Sequence, residues 1–508
     1  MAFKNIPGVE LQNATLAFLE DSPKKLFINN EWVSAKSGES FSTINPATGE
    51  VLAELALAGS DDVGAAVEAA HQAYYQGPWG QKMLAGHRAE LLFKLADLID
   101  EHADGLAELE TLDNGKPYRV ARRSDLPYVT KHLRYQAGWA DKIEGSTVPV
   151  TFPNQFVYTR REPMGVVGAI IPWNFPLLMA IWKLGPALTA GNTIILKPAE
   201  ETPLSALYLA DLIVEAGFPP GVVNILTGPG LPTGAAIAAH MGISKLAFTG
   251  STAVGAKIME AAANSNLKSV SLELGGKSPN VIFADADMKA AVRGAQWAVF
   301  STAGQECVAG TRLFVQRSAY NEVLDTLSAN VEKMKVNHGF AEKVHVGPII
   351  SDKQKKTIQG YIAEGKKAGA EIVTGGGEVE GLEAGNFLQP TIFAYENDDL
   401  SLVQEEIFGP VAAVTAFDDW DELIQRANST MYGLAAGVWT RDVAKAHRYA
   451  HQVQAGTVWI NGYGMIDPAA PFGGYKMSGF GREMGKESIQ LYTQVKTVWV
   501  NTEQPPEA

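Results

Sequence analysis

Between residues 163 and 275, short apolar runs alternate with longer segments of helical periodicity. The runs 193–196, 222–226 and 245–248 each have the length of a buried strand, and each precedes a helical pattern. Alternation of strand and helix predicts a parallel sheet covered by helices on both faces. A second series of this kind spans 280–458. We therefore predict an α/β fold of two or three domains, the first of them Rossmann-like, since 508 residues exceed one ordinary core.

Two further segments, 148–158 and 495–500, alternate apolar and polar residues with a period of two. This period is typical of strands with one exposed face. Although the segments are far apart in sequence, we expect them to form a small projecting β-sheet. Because an exposed sheet edge can pair with another subunit, we predict a homo-oligomer, either a dimer or a tetramer.

The charge balance, 42 basic and 56 acidic side chains with a net charge of -14, argues against a nucleic acid or an anionic membrane as partner. The chain contains one cysteine, which excludes an intrachain disulfide and fits a reducing compartment. Neither 1–7 nor 504–508 carries a targeting or lipidation signal, so we expect a cytoplasmic protein.

One uncharged stretch, 163–182, is long enough to span a bilayer. Pro172, Asn174 and Pro176 lie in its middle, where they would break a helix. We predict instead a buried strand over 165–171, then a loop, and then a helix.

The single cysteine, Cys307, lies between Gly304 and Gly310 and directly follows the polar residues Gln305 and Glu306. Glycines on both sides suit a backbone that turns sharply and leaves room for a ligand. A thiol on such a turn can act as a nucleophile if its surroundings favour the thiolate. The alternative is a small apolar core residue, which is the commoner role of an isolated cysteine.

An acidic residue, Glu273, interrupts the apolar strand that precedes Gly275 and Gly276. A buried carboxylate without a partner costs free energy, so the side chain either has a partner or holds its proton with a raised pKa. A general base is the functional interpretation.

Two strand ends carry candidate nucleotide contacts. Gly250 ends a strand and Ser251 can cap the next helix, whose free amides attract a pyrophosphate, although a plain cap explains the pattern equally well. Lys197 and Glu200 follow another strand, where an acid can bind ribose hydroxyls. A solvated ion pair is the alternative there.

Two other motifs are weaker. The glycines of 228–234 miss the dinucleotide fingerprint by one position, and two prolines stiffen the turn, so we predict a simple connection. His447 and His451 have the spacing of paired metal ligands, but no third ligand is evident, and we predict no metal site.

The sequence resembles members of the aldehyde dehydrogenase superfamily, of the hydrolytic, non-phosphorylating kind. The resemblance rests on five features considered together: Cys307, Glu273, the loop 172–176, the Lys197/Glu200 pair and Gly250–Ser251. The resemblance covers about 26–501 and includes the segments 405–410 and 471–479.

The resemblance implies a role for each catalytic group. Cys307 attacks the aldehyde carbon as a thiolate, and the Asn174 amide and the Cys307 backbone N–H stabilise the oxyanion. Loss of a hydride to NAD leaves a thioester, and Glu273 activates the water that hydrolyses it.

The resemblance also implies the cofactor site. Its residues are Ile171, Trp173, Lys197, Glu200, Gly250, Ser251, Glu406 and Phe408. Because the Glu200 carboxylate would repel a 2′-phosphate, we predict NAD rather than NADP.

By the same likeness, a tunnel leads the substrate to the thiol. Its lining residues are Phe175, Leu178, Met179, Trp182, Glu306, Met465, Ile466 and Phe472. The apolar and aromatic members favour an aromatic or medium aliphatic aldehyde, for example phenylacetaldehyde. Glu306 departs from the residues usual before the nucleophile, and if it faces the tunnel it would attract an amino-aldehyde.

The implied domain division assigns 1–143 and 163–275 to cofactor binding, 276–480 to catalysis, and 144–162 and 486–503 to oligomerisation strands. Two other functions stay open. A cofactor-free thiol esterase would cleave esters without NAD, and a structural or binding protein would keep the fold without turnover.

Overall fold

The computed structural model describes residues 9–80 and 82–503, so the terminal segments 1–7 and 504–508 lie outside the described residues. Its α-helices are, in chain order, Asn13–Glu20 (α1), Ser60–Tyr75 (α2), Ala85–Glu101 (α3), Ala103–Asp113 (α4), Tyr118–Val120 (α5), Leu126–Ala137 (α6), Pro176–Ala190 (α7), Leu204–Ala216 (α8), Ala235–Ala239 (α9), Thr252–Ala263 (α10), Met288–Phe300 (α11), Tyr320–Val331 (α12), Asp352–Lys367 (α13), Ser401–Gln404 (α14), Trp420–Ala427 (α15), Val443–Gln452 (α16) and Glu487–Leu491 (α17).

The strands are Leu26–Ile28 (β1), Glu31–Val33 (β2), Ser40–Ile44 (β3), Val51–Ala56 (β4), Thr147–Val148 (β5), Gln155–Pro163 (β6), Val166–Ile170 (β7), Thr193–Lys197 (β8), Val223–Ile225 (β9), Lys245–Thr249 (β10), Ser269–Glu273 (β11), Pro279–Ile282 (β12), Arg312–Gln316 (β13), Glu371–Thr374 (β14), Thr391–Ala394 (β15), Val411–Phe417 (β16), Tyr432–Gly433 (β17), Ala435–Trp439 (β18), Thr457–Ile460 (β19), Tyr475–Lys476 (β20), Gly479–Phe480 (β21) and Thr493–Asn501 (β22).

The first large sheet has the strand order β2-β1-β9-β8-β7-β10-β11-β21. Its five central strands, β9 to β11 in this order, are parallel, and antiparallel strands close both edges. Buried apolar strands joined by helices have this parallel arrangement because each crossover must return over a sheet face. The predicted α/β fold with a Rossmann-like sheet is confirmed.

A second large sheet has the order β14-β15-β16-β13-β12-β18-β19. All its neighbours pair in parallel except β14 and β15, which are antiparallel. The connection from β12 to β13 contains α11 and the loop that carries Cys307. The thiol therefore lies on a crossover of the second sheet, and the first sheet supplies Glu273 at the end of β11.

A third, small sheet joins β22, β6 and β5 in antiparallel order. Strands β22 and β6 pair continuously from Thr493 opposite Pro163 to Asn501 opposite Gln155. Most side chains of β22 are exposed in the single chain. The distant period-two segments thus form the expected sheet. The division into three domains remains a prediction. Strand β21 extends the first sheet, although the predicted catalytic segment 276–480 includes it.

The uncharged stretch 163–182 folds as the predicted strand, loop and helix. In the part of the chain that the structure describes, no helix has the length and apolar character needed to cross a membrane. Helix α7 begins at Pro176, since proline suits the first helical turn. All of its side chains are buried, and its one charged residue is Lys183.

Candidate active site

The loop that carries the cysteine bends sharply after α11. Thr302, Ala303 and Gly304 follow one another with φ angles of 47°, 56° and 70°. This left-handed region costs free energy for residues that have a side chain, so the surrounding structure must hold the loop in place. Gly304 packs directly on the backbone of Gly409, where a β-carbon would overlap the carbonyl oxygen. The bend therefore joins the nucleophile loop to the segment 405–410.

The Cys307 thiol is half-buried among carboxylates. Burial raises its pKa strongly, and the charges of Glu406, Glu273 and Glu306 raise it further. A negative charge on sulfur is unfavourable here, so the thiol keeps its proton at neutral pH unless a base accepts it. The side chain can act as a nucleophile only together with such a base or a nearby positive charge.

Asn174 supplies an amide beside this loop. Its buried Nδ2 donates a hydrogen bond to the carbonyl oxygen of Gln305 at 2.9 Å. The loop 172–176 is itself held by Asn114, whose Nδ2 donates to the carbonyl oxygen of Trp173 at 2.8 Å. An oriented amide next to the nucleophile is the geometry of an oxyanion donor.

Glu273 ends β11 with its carboxyl group buried. Among residues 9–80 and 82–503, its Oε2 has no hydrogen-bond partner. Burial raises the pKa of Glu273 well above its usual value, and Glu483 raises it further, while Lys183 and Arg482 oppose the shift. A β-carbon on Gly473 would lie 2.8 Å from Oε1, so the glycine leaves room for the carboxyl group. A carboxyl with a raised pKa can accept a proton near neutral pH.

Two buried residues without a local sequence motif, Lys183 and Glu483, form an ion pair near Glu273. Lys183 could have been noticed as the one charge in an otherwise apolar helix. Glu483 gives no comparable signal, because its partner lies 300 residues away.

A cleft of about 290 Å³ brings the predicted catalytic and nicotinamide-side residues together. Its lining includes Trp173, Asn174, Phe175, Met179, Gly250, Ser251, Glu273, Cys307, Glu406 and Phe408. The Trp173 and Phe408 rings meet edge to face with centroids 5.1 Å apart. Phe408 has a φ of 55°, so the backbone is held in a rare conformation where its ring faces Trp173.

Glu406 reaches across the cleft to the glycine pair. Its Oε1 accepts a hydrogen bond from the Gly276 N–H at 2.9 Å, and a β-carbon on Gly275 would overlap Oε2. Burial raises the pKa of Glu406 to about 7, while the Gly276 amide and Lys277 oppose the shift. The Gly275–Gly276 pair thus provides the space that this carboxylate occupies.

The other predicted cofactor residues lie at neighbouring ends of the same sheet. Lys197 ends β8, its Nζ is 3.5 Å from the Glu200 carboxylate, and its carbonyl oxygen accepts a hydrogen bond from Ile171. Ser251 caps α10 by accepting a hydrogen bond from Val254 at 3.4 Å. The loop 228–234 passes beside Lys197. These features together suit the binding of a dinucleotide. They are the Glu200 carboxylate, the buried Lys197, the start of α10 and the aromatic pair Trp173–Phe408.

The predicted tunnel residues are mostly in one apolar cluster. Leu178, Met179, Trp182 and Phe472 are buried in it, and Phe175, Ile466 and Cys307 pack against it. The Trp182 and Phe472 rings are 5.3 Å apart. Met465 differs, because its side chain is 62% exposed and contacts the Gly462 backbone region.

Glu306 lies among polar groups. Burial raises the pKa of Glu306, hydrogen bonds from Ser301 and Thr302 oppose this shift, and Asp125 adds to it. Lys116 pairs with Asp125 at 2.6 Å and stands 4.5 Å from the Phe175 ring centre. The carboxylate of Glu306 therefore lies in a cluster of charged side chains that also contains Lys116 and Asp125, and Lys116 of this cluster packs on the Phe175 ring.

Within the described ranges, no group of three His, Cys, Asp or Glu side chains is close enough to hold a metal ion. The rings of His447 and His451 lie 6.4 Å apart on α16.

Comparison with known proteins decides the family. A sequence profile of the aldehyde dehydrogenase family matches residues 32–498. The chain belongs to this family. It is 52% identical over 481 residues to human mitochondrial aldehyde dehydrogenase, covering 94% of this chain and 92% of the relative. The resemblance predicted from the sequence is confirmed.

Solved structures of the family agree in fold. An aldehyde dehydrogenase of Bacillus cereus in complex with NAD+ has a TM-score of 0.95 and 50% identity, covering 97% of this chain and 100% of that chain. A betaine aldehyde dehydrogenase of Staphylococcus aureus, also with NAD+, has a TM-score of 0.94 and 38% identity, covering 97% and 98%.

Proposed function

We propose that this aldehyde dehydrogenase oxidises an aromatic or medium aliphatic aldehyde, represented by phenylacetaldehyde, to the carboxylic acid. As a member of its family it is an enzyme that oxidises aldehydes, and its cofactor is NAD. The observation that supports the proposal best is the cleft in which Cys307, Asn174 and Glu273 lie beside an apolar and aromatic cluster.

The first step is attack of the Cys307 sulfur on the aldehyde carbon. Because the pKa of the thiol is raised, its proton must leave before the attack, and we assign its removal to solvent in the cleft rather than to Glu273. As the C–S bond forms, the C=O π bond breaks and the former carbonyl oxygen becomes an oxyanion, which accepts hydrogen bonds from the Asn174 amide and the Cys307 N–H. The Asn174 amide is already oriented by its hydrogen bond to the Gln305 carbonyl, so it stabilises the developing charge with little reorganisation.

When NAD is bound in this cleft, its nicotinamide would supply the hydride acceptor. Glu200 and Lys197 would hold the adenosine ribose, Ser251 and Gly250 the pyrophosphate, and Glu406 the nicotinamide ribose. Trp173, Phe408 and Ile171 would pack against the dinucleotide. Hydride loss leaves an acyl thioester on Cys307.

Hydrolysis then restores the thiol. Glu273 in its carboxylate form removes a proton from water, and the hydroxide adds to the thioester carbon. The C–S bond breaks, the carboxylic acid leaves, and the sulfur regains a proton. The net reaction consumes one aldehyde, one NAD+ and one water, and yields one acid, one NADH and one proton.

The apolar character of Phe175, Trp182 and Phe472 supports the choice of substrate. A panel of aldehydes followed at the NADH absorbance band, with Cys307→Ala as control, tests it. Phenylacetaldehyde should give a kcat/KM well above that of short aldehydes. Oxidation by the alanine variant at the wild-type rate, or ester cleavage without any NADH formation, would contradict the proposal.

A second candidate, an amino-aldehyde, is favoured by Glu306, the acidic residue that directly precedes the nucleophile. The kcat/KM for a cationic amino-aldehyde, compared between wild type and Glu306→Gln, separates the two. A preference for the cationic substrate that disappears in the variant would favour the amino-aldehyde.

The subunit association and cellular location are also proposals. Val495, Trp499 and Val500 are exposed on β22, and they support association of identical subunits through the small sheet. Light scattering would measure a dimer or a tetramer. A nucleophilic thiol requires a reducing compartment, which supports the cytoplasm and is tested by cell fractionation.

A further inference from the structure

A surface cleft of about 680 Å³ lies beside α11 and the turn that follows it. Its walls include Arg119, Arg293, Trp297 and the pair Ser301–Thr302. Two neighbouring hollows share His345 and one of the two arginines with it, so the three form one continuous cleft. None of the described residues that line this cleft also lines the active-site cleft.

The cleft is strongly cationic. Its charged lining residues are Arg119, Lys289, Arg293, Lys333 and Lys343, and His345 lies at the centre. Among the lining residues that the structure describes there is no aspartate or glutamate. The whole chain has 56 acidic and 42 basic side chains, so the local charge is opposite to the overall charge. A concave surface lined by one sign of charge concentrates ligands of the other sign.

Four of these five basic side chains are not neutralised within the described residues, whereas Lys343 lies 3.8 Å from the Glu342 carboxylate. Arg119, Lys289, Arg293 and Lys333 form no ion pair with any residue in the ranges 9–80 and 82–503. His345 accepts a hydrogen bond at Nδ1 from the Lys335 N–H at 3.0 Å, which leaves Nε2 as a donor in the neutral ring. The cleft therefore offers guanidinium, ammonium and imidazole donors at once.

The cleft also has an apolar wall. Trp297 is 53% exposed, and Phe300, Met334 and Trp439 complete this side. A ligand that uses the whole cleft needs an anionic group for the cations and an apolar body for the rings. Purely inorganic anions would leave the aromatic wall uncovered.

We propose that this cleft is a second, non-catalytic binding site for organic carboxylates that carry an apolar body. The acid formed by the enzyme itself belongs to this chemical class, and phenylacetate as the probe rests on the proposed function. The cleft ends at Ser301–Thr302, at the start of the loop that carries Cys307.

Isothermal titration of the full-length enzyme with phenylacetate tests the site. Arg119→Glu and Arg293→Glu reverse charges in the cleft, and Arg441→Glu makes the same charge change at an exposed position outside it. We expect wild type and Arg441→Glu to share one Kd, and the two cleft variants to bind about tenfold more weakly or worse. Their kcat/KM for the aldehyde should equal that of wild type.

Phenylacetamide, the neutral analogue, should bind much more weakly than phenylacetate at every salt concentration. Equal Kd values for Arg293→Glu and Arg441→Glu, or equal affinity for the amide, would overturn the proposal. Inorganic phosphate binding as tightly as phenylacetate would overturn the role of the apolar wall. Arginine-dependent binding of phenylacetate by an enzyme that does not oxidise phenylacetaldehyde would support the cleft and reject the proposed substrate.

Discussion

Gly276 packs so closely on Cys307 that a β-carbon at position 276 would overlap the Cys307 carbonyl oxygen. The same glycine donates its N–H to Glu406 at 2.9 Å. One residue without a side chain thus contacts both the nucleophile loop and the carboxylate on the cofactor side. Its size limits how near these two groups can approach.

Gly276→Ala should lower kcat/KM by about 100-fold, because displacing the nucleophile loop by a fraction of its contact distance misaligns the sulfur. Steady-state kinetics measures this effect. Gly360→Ala on α13 is the matched control, since a β-carbon there meets no atom within 4 Å. An alanine at 276 with wild-type kinetics would show that the loop adjusts freely.

Glu273→Gln should preserve the first burst of NADH and reduce steady-state turnover by roughly 10³-fold, since the water-activating base is lost. Stopped-flow absorbance separates the two phases. Loss of the burst together with turnover would mean that Glu273 is also indispensable for deprotonating the thiol.

The ion pair beside Glu273 should set the pH dependence of turnover. Glu483→Gln removes a charge that raises the pKa of Glu273, so that pKa falls and the acidic limb of kcat should move to lower pH. Lys183→Met removes an opposing charge and should move the limb to higher pH. Profiles that shift in the same direction would contradict this assignment.

Lys183→Met should also destabilise the fold, because it leaves Glu483 buried without its counter-charge. The cost expected for breaking a buried pair is roughly 3–5 kcal/mol. Urea unfolding of the variant and of Lys183→Met/Glu483→Gln measures it, and the double variant should recover part of the loss.

Glu406 should make stability depend on pH. Its pKa is about 7 in the folded chain and lies near the ordinary 4.5 when unfolded, so the folded state binds the proton more tightly. The stability that this proton provides is complete below the unfolded value and is lost as the pH rises through about 7. The Tm of Glu406→Gln, relative to wild type, should therefore increase between about pH 5 and pH 8. A constant difference would contradict the raised pKa.

Glu200→Gln should reduce the preference for NAD over NADP by about tenfold, because the variant no longer repels a 2′-phosphate and Lys197 becomes available to it. The ratio of kcat/KM for the two cofactors is the measurement. Comparable values in the wild type would refute the role of Glu200.

The sequence was sufficient where the physical signal is local. The apolar run at 245–248 is strand β10, and Glu273, the acid predicted within an apolar strand, is the last residue of β11. Periodicity and turn residues encode such features within a few positions. The small sheet was also predictable, because both of its long strands alternate.

Contacts across the fold were not predictable. The Lys183–Glu483 pair joins residues 300 positions apart, and neither residue belongs to a motif. Thr302 and Ala303 adopt left-handed backbone angles although neither is a glycine, the residue type that would have indicated such angles. Met465 stays a predicted tunnel residue, and its 62% exposure could not be read from the local sequence pattern.

Strand β21 pairs with β11 at Glu273, opposite Gly479, so the surroundings of the base include residues close to the end of the chain. During synthesis, a ribosome-bound chain that has emerged through the second sheet already contains the thiol but lacks this flanking strand. The surroundings of the base are therefore complete only after residues 479–480 have been synthesised and have folded back onto the first sheet.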